Sequence, residues 1–253
     1  MVLAKPTTRE VIGFPVAVTS YQEMVTWAMA AAVHGQRPYA VCAANTHVLS
    51  HARHHRSFGA VISKFDVICP DGTPLLWVIN AQLAKAQKLK DRVYGPSLML
   101  ELLKATEGKK DHSHFLLGGK PETLHQLEKR FSKNEIAGTY SPPFGPWPPD
   151  ENEKIKTMIA QSGAKYVWVG LGCPKQEQWI ADHLEALSPA VYFGIGAAFA
   201  FHAGEVRQAP RWIQRFGLEW LYRLCAEPRR LWKRYALHNS LFLYYLAKDY
   251  TRG

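Results

Sequence analysis

The chain has 253 residues, 47% of them hydrophobic, and a formal net charge of +10 at pH 7. That length and apolar fraction support one large domain, or a domain with an appendage, and exclude a disordered chain. Cys42, Cys69, Cys173 and Cys225 are far apart and form no Cys-x-x-Cys pair, which excludes a disulfide or zinc framework and fits free thiols in a reducing compartment.

The segment 1–18 carries Lys5, Arg9, Glu10 and two prolines, so it lacks the apolar core of a signal peptide. The longest apolar run, 191–200, is too short to span a bilayer. A protein that stays in the cytoplasm without crossing the membrane is expected. Short apolar runs bounded by Gly, Pro or Asp alternate with longer amphipathic stretches, the pattern of a parallel sheet covered by helices. The runs predict strands at 39–43, 65–69, 114–117, 136–140, 166–169 and 191–195. Between them the spacing predicts helices at 21–33, 47–63, 73–87, 97–106, 121–131, 151–161 and 175–187. The expected fold is α/β, a Rossmann-like parallel sheet flanked by helices over residues 1–204, followed by a helical appendage over 205–253.

In an open parallel sheet, ligands collect beyond the carboxyl ends of the strands. Asn45 follows the first predicted strand and Asp71 follows the second, in Cys69-Pro-Asp-Gly-Thr-Pro74. Both therefore sit on one rim, where Asp71 reads either as a helix cap or as a catalytic acid or base. His47, His51, His54 and His55 form a helical cluster; no carboxylate or cysteine accompanies it at a metal-ligand spacing, so a polar helix face is favoured over a metal site. Two strand-to-helix turns carry glycines: Gly118 and Gly119 before Pro121, and Gly170 and Gly172 before Pro174, Lys175, Gln176 and Glu177. Each reads as a phosphate cradle or as a tight packing turn. Lys175 stands where a dinucleotide fingerprint has its third glycine, and no P-loop is present, which disfavours a nucleotide-cofactor oxidoreductase and a P-loop triphosphatase.

The last fifth of the chain, from Glu205 on, has ten Lys or Arg against four acids and calls for an anionic partner. Its final helix, predicted at 229–248, mixes Arg230, Lys233 and Arg234 with Leu231, Tyr235, Leu241 and Tyr245. Such a helix suits either a membrane interface or packing on the core. The charge also admits a nucleic-acid-binding module, but it is concentrated in a Trp-rich helical tail without a nucleic-acid motif, so no nucleic-acid partner is expected.

Three blocks carry a more specific signal: Gly170-Leu-Gly-Cys-Pro-Lys-Gln-Glu-Gln-Trp179, Gly204-Glu-Val-Arg-Gln-Ala-Pro-Arg-Trp212, and Gly217-Leu-Glu-Trp-Leu-Tyr-Arg-Leu-Cys-Ala-Glu-Pro-Arg-Arg230. Together with Asn45, Pro70-Asp-Gly72 and Asp91-Arg-Val-Tyr-Gly95, the chain from about 40 to 235 resembles the WecG/TagA/CpsF family of bacterial glycosyltransferases. It departs from that family's pattern at Ala200, where an acid is usual, and at Arg207-Gln208-Ala209, which lengthens an Arg-Ala-Pro motif by one residue. The resemblance implies inverting transfer of a sugar from a UDP-sugar to a polyprenyl-diphosphate-linked saccharide, in surface-polymer or exopolysaccharide assembly at the inner face of the membrane. It implies Asp71 as the base, with Asn45, Arg92, Gly95, the two glycine turns, Gln176, Glu177, Arg207, Arg211 and Arg223 around the donor. The sequence contains no Asp-x-Asp pair, so arginines replace a metal as the expected diphosphate clamp. No cofactor and no metal are expected, and homo-oligomerisation stays open.

Overall fold

A computed structural model describes residues 4–251, apart from the side chains of Arg211, Arg215 and Arg230. Strands β1 (Thr8–Val11) and β2 (Phe14–Ala17) form an antiparallel hairpin, followed by α1 (Tyr21–His34), β3 (Tyr39–Ala44), α2 (Thr46–His54), α3 (Arg56–Ser63), β4 (Val67–Pro70) and α4 (Thr73–Ala81). The chain continues through α5 (Gly95–Thr106), β5 (His114–Gly118), α6 (Pro121–Arg130), β6 (Ile136–Tyr140), α7 (Glu151–Ser162), β7 (Tyr166–Gly170), α8 (Lys175–His183) and β8 (Val191–Gly194). Four C-terminal helices complete it: α9 (Ala198–His202), α10 (Arg211–Arg215), α11 (Glu219–Ala226) and α12 (Pro228–Tyr250). Strands β3 to β8 build one parallel six-stranded sheet in the order β4-β3-β8-β7-β5-β6. The fold class read from the sequence is the one found.

The inner strands are apolar, apart from the buried His114 that starts β5, because helices cover both faces. Along β3, Ala40, Cys42 and Ala44 face the core under α2, α3, α4, α7 and α8, while Val41 faces the opposite core with α1, α5 and α6. Along β7, Val167 and Val169 take the first face and Tyr166 and Trp168 the second.

The element bounds depart from expectation in three places. The N-terminal hairpin carries no recognisable signal, because its two-residue turn is Ile12-Gly13, with φ of 42° and 82°, where an Asn-Gly or Asp-Gly pair is the usual mark. The single helix expected over 47–63 is broken at His55, whose extended backbone ends α2 and starts α3. The helices expected over 73–87 and 175–187 stop at Ala81 and His183, each followed by a short 3-10 turn.

Helix α12 lies along α2. Its inward residues Leu231 and Phe242 are buried, Thr46 donates to Asn239 (2.9 Å), and Arg53 pairs with Asp249 (3.1 Å). On the opposite side, at helical spacing, Trp232, Leu237, Leu243, Tyr244 and Tyr250 are exposed. The composition leaves a packed helix and an interfacial helix as alternatives; the packed face is seen here, and a second apolar face stays open.

The α2–α12 seam is rich in histidine. His47 and His238 stack edge to face at 4.2 Å, His51 lies 5.7 Å from His238 and 4.8 Å from His55, and His54 Nδ1 is 3.0 Å from the Tyr245 hydroxyl. Arg234 Nη2 donates to His47 Nδ1 (2.9 Å), so that ring nitrogen carries no proton. Burial, then the Arg234 charge, holds His47 at about 2; burial, then His51 and Arg234, holds His238 at about 4; His51 is lowered by burial and by His55. Arg53 adds a further positive charge at the seam, and Asp249, its partner, supplies a negative one.

Because the folded values lie below the ordinary 6.5, the unfolded chain binds more protons in acid. Stability present above pH 6.5 is therefore lost as pH falls toward about 4. Thermal melting across this range should show that decline, and His238→Gln should flatten it. A variant that melts with the wild-type pH slope would contradict this origin.

Candidate active site

The carboxyl ends of β3, β4, β7 and β8 surround a cavity of about 330 Å³ lined by Asn45, Asp71, Tyr94, Gly170, Gly172, Gln176, Glu177, Gly196, Phe201, Arg223 and Arg234 among others. This is where a parallel sheet whose connections leave on opposite sides offers a crevice. Asp71 follows β4 directly and does not cap α4, whose N-cap is Gly72 without a side-chain bond. Its Oδ1 instead accepts from the Gly95 amide (2.6 Å), the first N–H of α5, and its Oδ2 accepts from Asn45 Nδ2 (3.3 Å). Asn45 has its own orientation fixed, because its Oδ1 caps α2 by accepting from the amides of His47 (3.1 Å) and Val48 (3.3 Å). Burial pushes the Asp71 carboxyl above its ordinary value against the opposing pull of Arg92 and the Gly95 amide. A carboxylate held this way, partly open to the cavity, has lone pairs left for a ligand proton.

A Cβ on Gly95 would lie 3.2 Å from Ala43 Cβ, a tight approach, and in ordinary contact with Asp71 Oδ1 at 3.5 Å. Behind Asp71, Arg92 is buried. Its Nη1 donates to the Asp71 carbonyl (3.1 Å) and its Nη2 pairs with Glu219 of α11, itself buried. Arg92 thus faces away from the Asp71 cavity and forms part of a larger groove of about 790 Å³ with Tyr21, Gln22, Asp91, Ser97 and Gln214.

Gln176 and Glu177 lie in the first turn of α8. Gln176 Oε1 accepts from the amides of Gly172 (3.1 Å) and Gly196 (2.9 Å), tying the turn after β7 to the turn after β8, and its Nε2 donates to Glu177 Oε1 (2.8 Å). Gly172 has φ of +81° and Gly196 +48°, left-handed conformations that favour glycine and aim their amides at this one side chain. Gly118 and Gly119 end β5 outside the cavity lining. A Cβ on Gly118 would lie 2.7 Å from the Gly170 backbone, and one on Gly170 would lie 2.8 Å from the Phe199 ring, so close packing alone requires glycine at both positions.

The expected arginines separate. Arg223 lines the cavity, with its guanidinium 5.4 Å from the Phe201 ring and its Nε buried without a hydrogen-bond partner. Arg207 is exposed on the segment before α10, and the side chain of Arg211 lies outside the described residues. Pro174 and Lys175 stand at the start of α8, where the Lys175 ammonium sits 4.0 Å over the Trp147 ring. Sequence reasoning misses Arg234, Tyr94, Phe201 and the turn at 195–197 as cavity residues. For Arg234 a signal exists: it shares the inward stripe of α12 with Leu231 and His238, at i+3 and i+7 spacing.

Among the described residues, no three His, Cys, Asp or Glu side chains are placed to hold a metal ion. The sequence matches the family described as Glycosyl transferase WecG/TagA/CpsF family over residues 9–253, nearly the full chain.

The Arg92–Glu219 pair makes a direct prediction. Removing one member of a buried pair leaves the other charge without compensation, at about 3–5 kcal/mol. Glu219→Ala should lower the urea-unfolding free energy by about that amount. A loss below about 1 kcal/mol would show the pair to be dispensable.

Proposed function

Because the chain belongs to the WecG/TagA/CpsF family of glycosyltransferases, we propose that it moves a sugar from a UDP-sugar, with inversion and without a metal, onto a polyprenyl-diphosphate-linked saccharide. The family implies a nucleotide-sugar donor, a lipid-linked acceptor and a place in cell-envelope polysaccharide synthesis. The observation that carries the finer reading is the pairing, in one cavity, of a partly open carboxylate, Asp71, with two cationic side chains from the C-terminal helices, Arg223 and Arg234.

In this mechanism the Asp71 carboxylate takes the proton of the acceptor hydroxyl as that oxygen attacks the anomeric carbon. The bond from the anomeric carbon to the β-phosphate oxygen breaks on the opposite face, and UDP leaves with its electron pair. Arg223 and Arg234 meet the charge that develops on the diphosphate, through forked donors that match phosphate oxygens. Asn45 and the Gly95 amide hold the base, and Gln176 holds the two turns between which the donor enters. Donor-site roles for Gly170, Gly172 and Arg211 belong to the same proposal.

The enzyme works at the inner face of the cell membrane. Among the described residues no helix is long and apolar enough to cross a bilayer, so the attachment we propose is peripheral. Trp77 of α4, Trp212, Phe216 and Trp220 are exposed on the side of the C-terminal helices, and α12 adds its outward apolar stripe together with exposed Arg229 and Lys233. Interfacial aromatics with adjacent cations bind anionic bilayers.

The test is a transfer assay with a panel of UDP-sugars and an extracted polyprenyl-diphosphate-linked acceptor in excess EDTA. An anomerically inverted, lipid-linked product is expected; a product that forms only on adding magnesium or manganese would overturn the metal-free step. Asp71→Asn preserves the shape of the side chain and should lower kcat by about a hundredfold or more. A folded variant turning over near the wild-type rate would remove Asp71 from the reaction. For the membrane, replacing Trp232, Leu243 and Tyr250 together by Ala leaves the buried Leu231 and Phe242 in place and should reduce sedimentation with anionic vesicles about tenfold. Wild-type sedimentation would exclude this face.

A further inference from the structure

Glu177 is fully buried, yet it lines the cavity that holds Asp71, Arg223 and Arg234. Its Oε1 accepts from Gln176 Nε2 (2.8 Å), and the Cys173 thiol and its own amide lie beside the carboxylate, whereas Oε2 is buried without a partner at hydrogen-bond geometry. Leaving a buried carboxylate oxygen unmatched is costly to the fold.

A diphosphate does not satisfy this oxygen, since two anions would then face each other in a desolvated space. A sugar hydroxyl does. It brings a proton to an ionised carboxylate and a lone pair to a protonated one, so it fits Glu177 in either state; burial raises the pKa of this group against the opposing pull of Gln176. Within the cavity, the arginines stand for the diphosphate and Asp71 for the attacking hydroxyl. Glu177 is then left for the part of the donor that lies between them.

We propose that Glu177 Oε2 hydrogen-bonds a hydroxyl of the transferred sugar and so determines which sugar nucleotides the enzyme accepts. This rests on the sugar-nucleotide reading of the cavity, and it assigns Glu177 to the sugar and not to the UDP moiety. A site built to bond a substrate hydroxyl loses more discrimination when its polar group is altered than an apolar pocket does.

The experiment compares dissociation constants of UDP and of a panel of UDP-hexoses and UDP-N-acetylhexosamines by calorimetry, for the wild type, Glu177→Gln and Glu177→Asp. The wild type should bind at least one sugar nucleotide more tightly than UDP. In Glu177→Gln that sugar-dependent gain should shrink about tenfold while UDP binding stays within about twofold. Glu177→Asp keeps the charge but withdraws the oxygen, and should lose the gain similarly, which keeps the test decisive if one variant fails to fold. Parallel weakening of UDP and sugar nucleotides would mean that Glu177 merely supports Gln176, and would overturn the proposal. Tighter UDP binding with an unchanged sugar gain would mean that Glu177 acts only through its charge, and would overturn it equally. A wild type with no sugar-dependent gain would overturn it as well, and a wild type that binds neither UDP nor any sugar nucleotide would overturn the donor-site reading beneath it.

Discussion

A guanidinium buried at the seam between a sheet and a helical appendage is tolerable only when its charge is matched. Arg92 meets that condition twice, by its ion pair with Glu219 of α11 and by its hydrogen bond to the Asp71 carbonyl (3.1 Å). One side chain therefore fixes the height of the Asp71 turn and the position of the helix that carries Arg223. The cavity is a consequence of that constraint. Its floor is made by strand ends of the α/β sheet, and its cationic wall is supplied from residues far along the chain.

The two parts of the site are held by different physics. On the sheet side, backbone amides at turns position the side chains: Gly95 holds Asp71, and Gly172 and Gly196 converge on Gln176. On the helical side, α12 is held by buried Leu231 and Phe242, by a histidine seam that includes Arg53 and Arg234, and by a few side-chain bonds. Lowering pH charges that seam next to Arg234, whose side chain also lines the cavity. Docking of the helix and the cationic wall of the cavity are thus linked through one residue.

Much of this is legible in the residues. The alternation of apolar runs and amphipathic stretches marks all six parallel strands to within a few residues, because buried parallel strands are apolar on both faces. Placement of Asp71 and Asn45 just past strand ends puts them on one rim, and the structure brings them within hydrogen-bond distance. What cannot be read is the use of each group. Gly118 looks like part of a phosphate cradle in the sequence, yet it lies outside the cavity lining and is required by packing against the Gly170 backbone. Arg207 and Arg234 look equivalent as basic residues of the tail, but only the helical stripe of α12 turns Arg234 toward the cavity. The N-terminal hairpin escapes because Ile12 occupies a left-handed position that β-branched residues rarely adopt.

The proposed chemistry requires the sheet and the appendage to form one diphosphate site together. Calorimetric titration with UDP and with uridine probes that requirement without intermediate steps. The wild type should bind UDP far more tightly than uridine, and Arg223→Ala and Arg234→Ala should each remove about tenfold or more of that difference while uridine binding is unchanged. If both variants bind UDP as the wild type does, the C-terminal helices contribute nothing to the site, and a diphosphate wall built from them does not exist.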